Sequence, residues 1–88
     1  MEFPPRRFVY VLRSLAVPDR YYVGVTSNVA ERLAAHNEAH LPNTARYRPW
    51  RIHVIVEFTS EETAVQFERY LKSGSGRAFA KRHFDLNN

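Results

Sequence analysis

Cysteine is absent from this 88-residue chain. That absence excludes disulfide staples, thiolate metal sites and a thiol nucleophile, and it suits a reducing, cytoplasmic compartment. Long apolar runs are absent as well. Runs such as Val54-Ile55-Val56 fall far below the roughly 20 residues that a membrane-spanning helix needs. Nor does the amino terminus have the build of a secretory signal, because Arg6 and Arg7 follow Pro4-Pro5 and no long apolar stretch comes after them. The expectation is a soluble, intracellular protein with no membrane partner. Internal repeats, low-complexity tracts and linkers are missing too, and 88 residues bury only a thin core. One domain over residues 1–88 is expected, with its core at about 8–84 and flexible tails at 1–7 and 85–88.

Acidic side chains are scarce where basic ones collect. Thirteen Lys and Arg against nine Asp and Glu give a net charge of +4. Residues 39–56 hold no acid but carry Arg46, Arg48 and Arg51. Residues 69–84 hold none either, and carry Arg69, Lys72, Arg77, Lys81 and Arg82. Two acid-free basic stretches in so small a chain suit a polyanion, since each phosphate neutralised releases condensed counterions. The plainer reading is a solvated surface that keeps the protein soluble. Charge alone tilts the balance toward nucleic acid and goes no further.

The local patterns define a compact order of elements. Residues 8–12 are β-branched and aromatic and read as a strand; residues 14–20 contain Pro18-Asp19 and read as a turn; residues 21–26 read as a second strand. The short connection makes them an antiparallel hairpin. Ser27-Asn28 offers a helix cap, with Glu31 in the first turn of a helix over 29–38. On it Val29 and Leu33 face the core, while Arg32 and His36 share the neighbouring face. Residues 40–48, with Pro42-Asn43, read as a loop, and 52–58 as a third strand. Thr59-Ser60-Glu61-Glu62 starts a second helix with Ala64, Phe67 and Leu71 as its apolar stripe. Gly74 reads as its stop, and residues 77–84 as a short basic helix. The order β-β-α-β-α-α predicts an α+β (mixed α/β) domain, a small three-stranded mixed or antiparallel sheet flanked by helices.

Five polar positions stand out on that map: Tyr10 on the first strand, Tyr22 on the second, Arg32 and His36 on one side of the first helix, and Glu68 beside Phe67 on the second helix. Their order carries a resemblance. Phe8-Val9-Tyr10 and Tyr22-Val23-Gly24 stand where the GIY and YIG motifs stand, and residues 28–37 look like the helix that follows, with its arginine and histidine. Glu68, within Phe67-Glu68-Arg69-Tyr70-Leu71-Lys72, looks like a metal-binding glutamate, and residues 73–79 resemble the ending of compact members. From about Phe8 to Phe84 the chain resembles the GIY-YIG nuclease superfamily, in particular its compact, stand-alone bacterial members. It is similar as well to the amino-terminal nuclease domain found in the excision-repair nuclease. Either tripeptide alone is weak, since strands commonly hold tyrosine and valine; four elements in order are not. Phe8 in place of the first glycine and Val23 in place of isoleucine are departures, but the tyrosines and Gly24, the structural glycine of the second motif, remain.

The resemblance implies catalysis by Tyr10, Tyr22, Arg32, His36 and Glu68, with Glu68 holding one Mg²⁺ or Mn²⁺. A lone carboxylate suits a Mg²⁺ that keeps several waters and also touches substrate phosphate, and no second carboxylate stands ready for a two-metal site. The competing reading of Glu68 is a surface residue paired with Lys72 at i,i+4, worth only about 0.3–0.5 kcal/mol. Arg32 offers a planar fork to phosphate oxygens, or is an ordinary exposed helix arginine. His36 relays a proton or holds phosphate, or is a half-buried helix histidine. His36 and His40 stand four apart, yet no glutamate follows His36 directly and Pro42 is near, which disfavours zinc. Tyr10 and Tyr22, on adjacent strands, come close on one sheet face, and a phenol beside a metal and a guanidinium ionises more easily. The other reading of both is core packing, the role expected of Tyr21 and Tyr70. Family members often carry an asparagine after the glutamate helix, a role assigned to neither Asn87 nor Asn88. Arg46, Arg48, Lys72, Arg77 and Lys81 are the candidate nucleic-acid contacts.

The reading is a metal-dependent phosphodiesterase acting on DNA, with RNA as the alternative, in repair, recombination or restriction. With no added specificity domain it is expected to select structures such as nicks or flaps rather than sequences. It is expected to be a monomer or weak homodimer. A catalytically inactive nucleic-acid-binding module of the same fold is the second reading, since basic stretches and aromatic side chains serve binding equally. A small interaction domain with incidental charge is the third.

Overall fold

The computed structural model describes residues 6–38 and 41–86. Three strands, β1 (Arg7–Ser14), β2 (Tyr21–Thr26) and β3 (Trp50–Phe58), form a sheet in the order β2-β1-β3, with both pairings antiparallel. Between β2 and β3 lie α1 (Val29–Asn37) and α2 (Pro42–Ala45); α3 (Glu61–Leu71) and α4 (Gly74–His83) follow β3. The expected order of the main elements and the three-stranded sheet are both present.

Strand alternation sorts the central strand into two faces. Val9 joins Ala64, Leu71 and Ala80 in one buried cluster, backed by Val23, Val25, Phe58, Phe67 and Phe79. Tyr10 and Leu12 join Trp50 in a second cluster, backed by Tyr22, Val29, Leu33 and Tyr47. The sheet is therefore a middle layer. α3 and α4 cover the valine face, and α1 with α2 covers the tyrosine face.

Local chemistry sets the helix ends. Asn28 caps α1, its Oδ1 accepting from the Glu31 N–H at 3.0 Å. Ser60 caps α3 by accepting from Thr63 N–H at 3.3 Å, with Glu61 and Glu62 in the first turn where the helix dipole favours acids.

The structure corrects three expectations. The segment read as a loop over 40–48 contains α2, which begins at Pro42 because proline, with no N–H and a fixed φ, fits the first helical position. Gly74 does not stop α3. That helix ends at Leu71, and Gly74 opens α4 without a positive φ, three residues before the expected start. Ser73 explains the switch: its Oγ donates to the Tyr70 carbonyl at 2.6 Å and accepts from Gly76 N–H at 3.1 Å, closing one helix and capping the next. The ordered core also exceeds 8–84, since Arg7 belongs to β1 and Leu86 packs on the valine-face cluster. The expectations for residues 1–5, His40, Asn87 and Asn88 lie outside the described residues. Among the described residues no helix is long and apolar enough to cross a membrane.

Gly76 is the tightest point of the α3–α4 junction, because a Cβ there would collide with the Tyr70 carbonyl and the Leu71 backbone. Gly76→Ala is expected to lower stability in denaturant by about 2 kcal/mol or more, an overpacking cost against backbone. Ser75→Ala, at the exposed neighbour, is expected to change it by less than about 0.5 kcal/mol.

Candidate active site

Tyr10 lies on the central strand with no exposed surface. Its partner across the β1–β2 ladder is Gly24, and a Cβ at Gly24 would stand 2.5 Å from the Tyr10 Oη. The glycine is there because the phenol lies over it. The hydroxyl end of the ring meets α1, where Tyr10 Oη and His36 Nε2 are 3.1 Å apart. His36 is also fully buried, and its Nδ1 lies 2.8 Å from Thr44 Oγ1 on α2. Two anchors from the start of β3 hold these helices. The Asn37 side chain accepts from Trp50 N–H at 2.6 Å and donates to the Trp50 carbonyl at 3.0 Å, and the Trp50 indole N–H donates to the Thr44 carbonyl at 2.8 Å.

Tyr22 completes an aromatic corner. Its ring centroid is 6.0 Å from that of Tyr10 and 4.6 Å from that of His36. Unlike Tyr10 it is only half-buried, so it is the phenol nearer to solvent. Arg32, one turn before His36, brings its guanidinium to the two hydroxyls, while its own Nε is buried with no hydrogen-bond partner among the described residues. Four of the five expected side chains thus meet, from β1, β2 and α1.

Their electrostatics follow from burial. Loss of water pushes the Tyr10 phenol above its ordinary value, and the neighbouring Arg32 offsets only part of that, while Tyr22 adds to it. Desolvation thus outweighs the guanidinium at Tyr10, and Arg32 by itself does not make this phenol easy to ionise. Contact with Tyr10 raises Arg32 above its already high value, so it stays a fixed cation. Burial and then the Arg32 charge lower His36, which keeps the imidazole neutral near pH 7.

Glu68 stands apart. Its helix belongs to the opposite layer, and the ion pair weighed against the metal-ligand reading is formed, with Lys72 Nζ 2.7 Å from Glu68 Oε2. At 100° per residue, Ala64 and Leu71 mark the line of α3 that faces the sheet, with Phe67 and Glu68 on its two flanks. Phe67 leans to β3, its ring 5.5 Å from that of Phe58. Glu68, 19% exposed, accordingly leans toward β2. There Lys72 and Arg77 line an open cleft of about 550 Å³ with Tyr21, Tyr22 and Val23. Among the described residues no hydrogen bond or ion pair joins Glu68 to the other four. Nor does any group of three or more His, Asp or Glu residues gather there to hold a metal.

The basic candidates divide between the layers. Lys72, Arg77 and Lys81 belong to the α3–α4 side, whereas Arg46 and Arg48 flank α2. The guanidinium of Arg46 lies 5.3 Å from the Tyr47 ring centre, and Arg48 Nε donates to the Ala45 carbonyl at 2.8 Å. Sequence reasoning missed Thr44, Asn37 and Trp50. The signal for Thr44 was Pro42, which starts the short helix that presents it; the Asn37–Trp50 clamp has no local signature.

The family model for the GIY-YIG catalytic domain matches residues 6–83. The chain belongs to the GIY-YIG family. It is also similar to three fungal proteins named structure-specific endonuclease subunit SLX1. The one from Debaryomyces hansenii is 37% identical over 71 residues, covering 73% of this chain and 20% of the relative. The Talaromyces marneffei protein is 42% identical over 65 residues, covering 67% and 17%. The Candida dubliniensis protein is 34% identical over 84 residues, covering 88% and 28%. This chain therefore spans less than a third of the length of these relatives. The match embraces both GIY-YIG strand motifs, α1, and the helix that carries Glu68.

Because the folded His36 refuses a proton that the unfolded chain accepts, stability is expected to be full above the unfolded value near 6.5 and to fall as pH drops below it. Denaturant midpoints measured from pH 8 to pH 5 on the wild type and His36→Gln should show a steeper acid loss in the wild type. Parallel profiles would contradict a depressed imidazole.

Proposed function

We propose that this GIY-YIG domain is a metal-dependent endonuclease that hydrolyses phosphodiester bonds in DNA. The observation that carries the reading is the convergence of two phenols, an imidazole and a guanidinium with an unpaired, buried Nε. An orphan donor on a fixed cation is costly unless a ligand oxygen meets it, and phosphate supplies such an oxygen. Tyr22, open to solvent, meets the attacking water. As the water oxygen bonds to phosphorus, its proton passes to Tyr22, the Tyr22 proton to Tyr10 and the Tyr10 proton to His36 Nε2, which burial makes too weak a base to keep it and which returns it along the same chain to the leaving sugar oxygen. The bond from phosphorus to the leaving sugar oxygen breaks. Arg32 offsets charge on the phosphoryl oxygens.

Glu68 is the residue to hold a divalent ion. A single carboxylate with one oxygen on Lys72 fits a Mg²⁺ or Mn²⁺ that retains most of its waters, and fits zinc poorly. Bound there, the ion supplies positive charge to the scissile phosphate and the leaving oxygen. Lys72, Arg77 and Lys81 on one layer, with Arg46 and Arg48 on the other, contact the flanking backbone. The relatives' name, structure-specific endonuclease subunit, supports a substrate chosen by its structure and work beside a partner chain.

One observation favours a second reading. The Glu68–Lys72 ion pair satisfies the carboxylate without a metal, as a nucleic-acid-binding module of the same fold would have it. Purified protein incubated with plasmid and branched DNA separates the two. Cleavage is expected with Mg²⁺ or Mn²⁺ and not with EDTA. Glu68→Ala and Tyr22→Phe are each expected to lower the rate about 100-fold or more while DNA binding persists. Salt-sensitive binding with no cleavage in any metal would establish the second reading, and undiminished cleavage by both variants would discard the proposed chemistry.

A further inference from the structure

Both nitrogens of His36 are engaged, and the partner on the far side is a residue that neither the family motifs nor the proposed chemistry assigns. Thr44 Oγ1 lies 2.8 Å from His36 Nδ1 and is also set to donate to the Leu41 carbonyl at 3.2 Å. A hydroxyl has one proton. Donation to the carbonyl three residues earlier is the usual local habit of a threonine, and it leaves Thr44 as an acceptor toward the ring. Nδ1 must then carry the imidazole proton, and Nε2 presents a lone pair to Tyr10. The Tyr10 hydroxyl in turn donates to Nε2, and its oxygen is left to accept from Arg32 and Tyr22.

We propose that Thr44 is a positioning residue of this site, fixing His36 in the Nδ1–H tautomer so that the Tyr10 proton points at Nε2. With the opposite tautomer, Nε2–H would donate to Tyr10 and Tyr10 would have no acceptor for its own proton on α1, reversing the direction of the chain. The placement of Thr44 is itself built. It is buried on α2, behind the Pro42 start and beneath the Trp50 indole, which donates to its carbonyl. The groups facing His36 are Tyr10 from β1, Tyr22 from β2, Trp50 from β3, Thr44 from α2 and Arg32 from its own helix. None of them is a carboxylate that would stabilise an imidazolium instead.

The consequence for turnover rests on the nuclease reading; the tautomer does not. Nitrogen-15 NMR of the imidazole in the full chain, at pH 7.5, reads the tautomer directly. The expected wild-type spectrum is that of Nδ1–H, and an Nε2–H spectrum overturns the proposal whatever any variant does. Thr44→Val, close to isosteric but without the hydroxyl, is expected to shift the tautomer away from Nδ1–H. It should also lower kcat for DNA cleavage about 10–100-fold, the usual effect of removing a partner that orients a functional histidine, with KM little changed. Thr44→Ser restores both, and Thr44→Ala repeats the valine result if the valine variant does not fold. An unchanged Nδ1–H tautomer in Thr44→Val would show that the threonine only fills space, and a shifted tautomer with wild-type kcat would overturn its role in turnover. Absence of cleavage in the wild type would sink the nuclease reading, while the spectrum still decides the tautomer.

Discussion

A phenol and an imidazole, each with no exposed surface, face one another at 3.1 Å between the sheet and its first helix. Neither can be buried alone, since an unpaired polar group in that position costs about 1–3 kcal/mol. Much of the surrounding structure follows from that mutual need. Gly24 is cut back to hydrogen so that the Tyr10 ring can cross β2. His36 needs a partner for its second nitrogen, and α2 brings Thr44 there. α2 in turn hangs on the Trp50 indole, and Trp50 is fixed by both ends of the Asn37 amide. The chain of dependence runs from β1 through α1 and α2 to the start of β3.

Burial also divides the labour between two otherwise similar side chains. Tyr10 bears the desolvation cost in full, so its phenol is held up and stays protonated despite Arg32. Tyr22, half-exposed on the edge strand, has the access to solvent that Tyr10 lacks. The pair is therefore better described as a contact group and a backing group than as two equivalent phenols. In the proposed chemistry the proton leaves through the buried partner because that partner has His36 behind it.

The elements with strong local causes were legible in the sequence. The strands announced themselves by β-branched runs, and Asn28 and Ser60 announced their helices by capping, as their side-chain bonds to Glu31 N–H and Thr63 N–H bear out. Gly74 misled because glycine closes helices so often; the deciding atom was the Ser73 hydroxyl, whose two hydrogen bonds depend on where α4 goes. At the site, Tyr10, Tyr22, Arg32 and His36 were legible through motif order and helical spacing. Thr44 was not, because its role depends on a contact with a residue eight positions earlier across a turn that proline was expected to leave irregular. The effect of burial on Tyr10 was hidden for a similar reason, since desolvation depends on packing that no single residue encodes.

Glu68 poses the remaining geometric question, because its helix lies on the other layer from the phenols. Adjacent strands are only about 4.8 Å apart, and among the described residues β2 is an edge strand paired with β1 alone. Tyr22 lines the cleft with Tyr21, Val23, Lys72 and Arg77, while its ring also meets Tyr10 and His36 at the other layer. A group that leaves the flank of α3 toward β2 need only pass one strand's width to share a phosphate with Tyr22. In a broader sheet the same two layers would be isolated from each other by further strands. The proposed centre thus depends on the narrowness of the sheet and on the YIG-like strand being its outermost member, which lets one substrate bridge residues from both faces around a single edge.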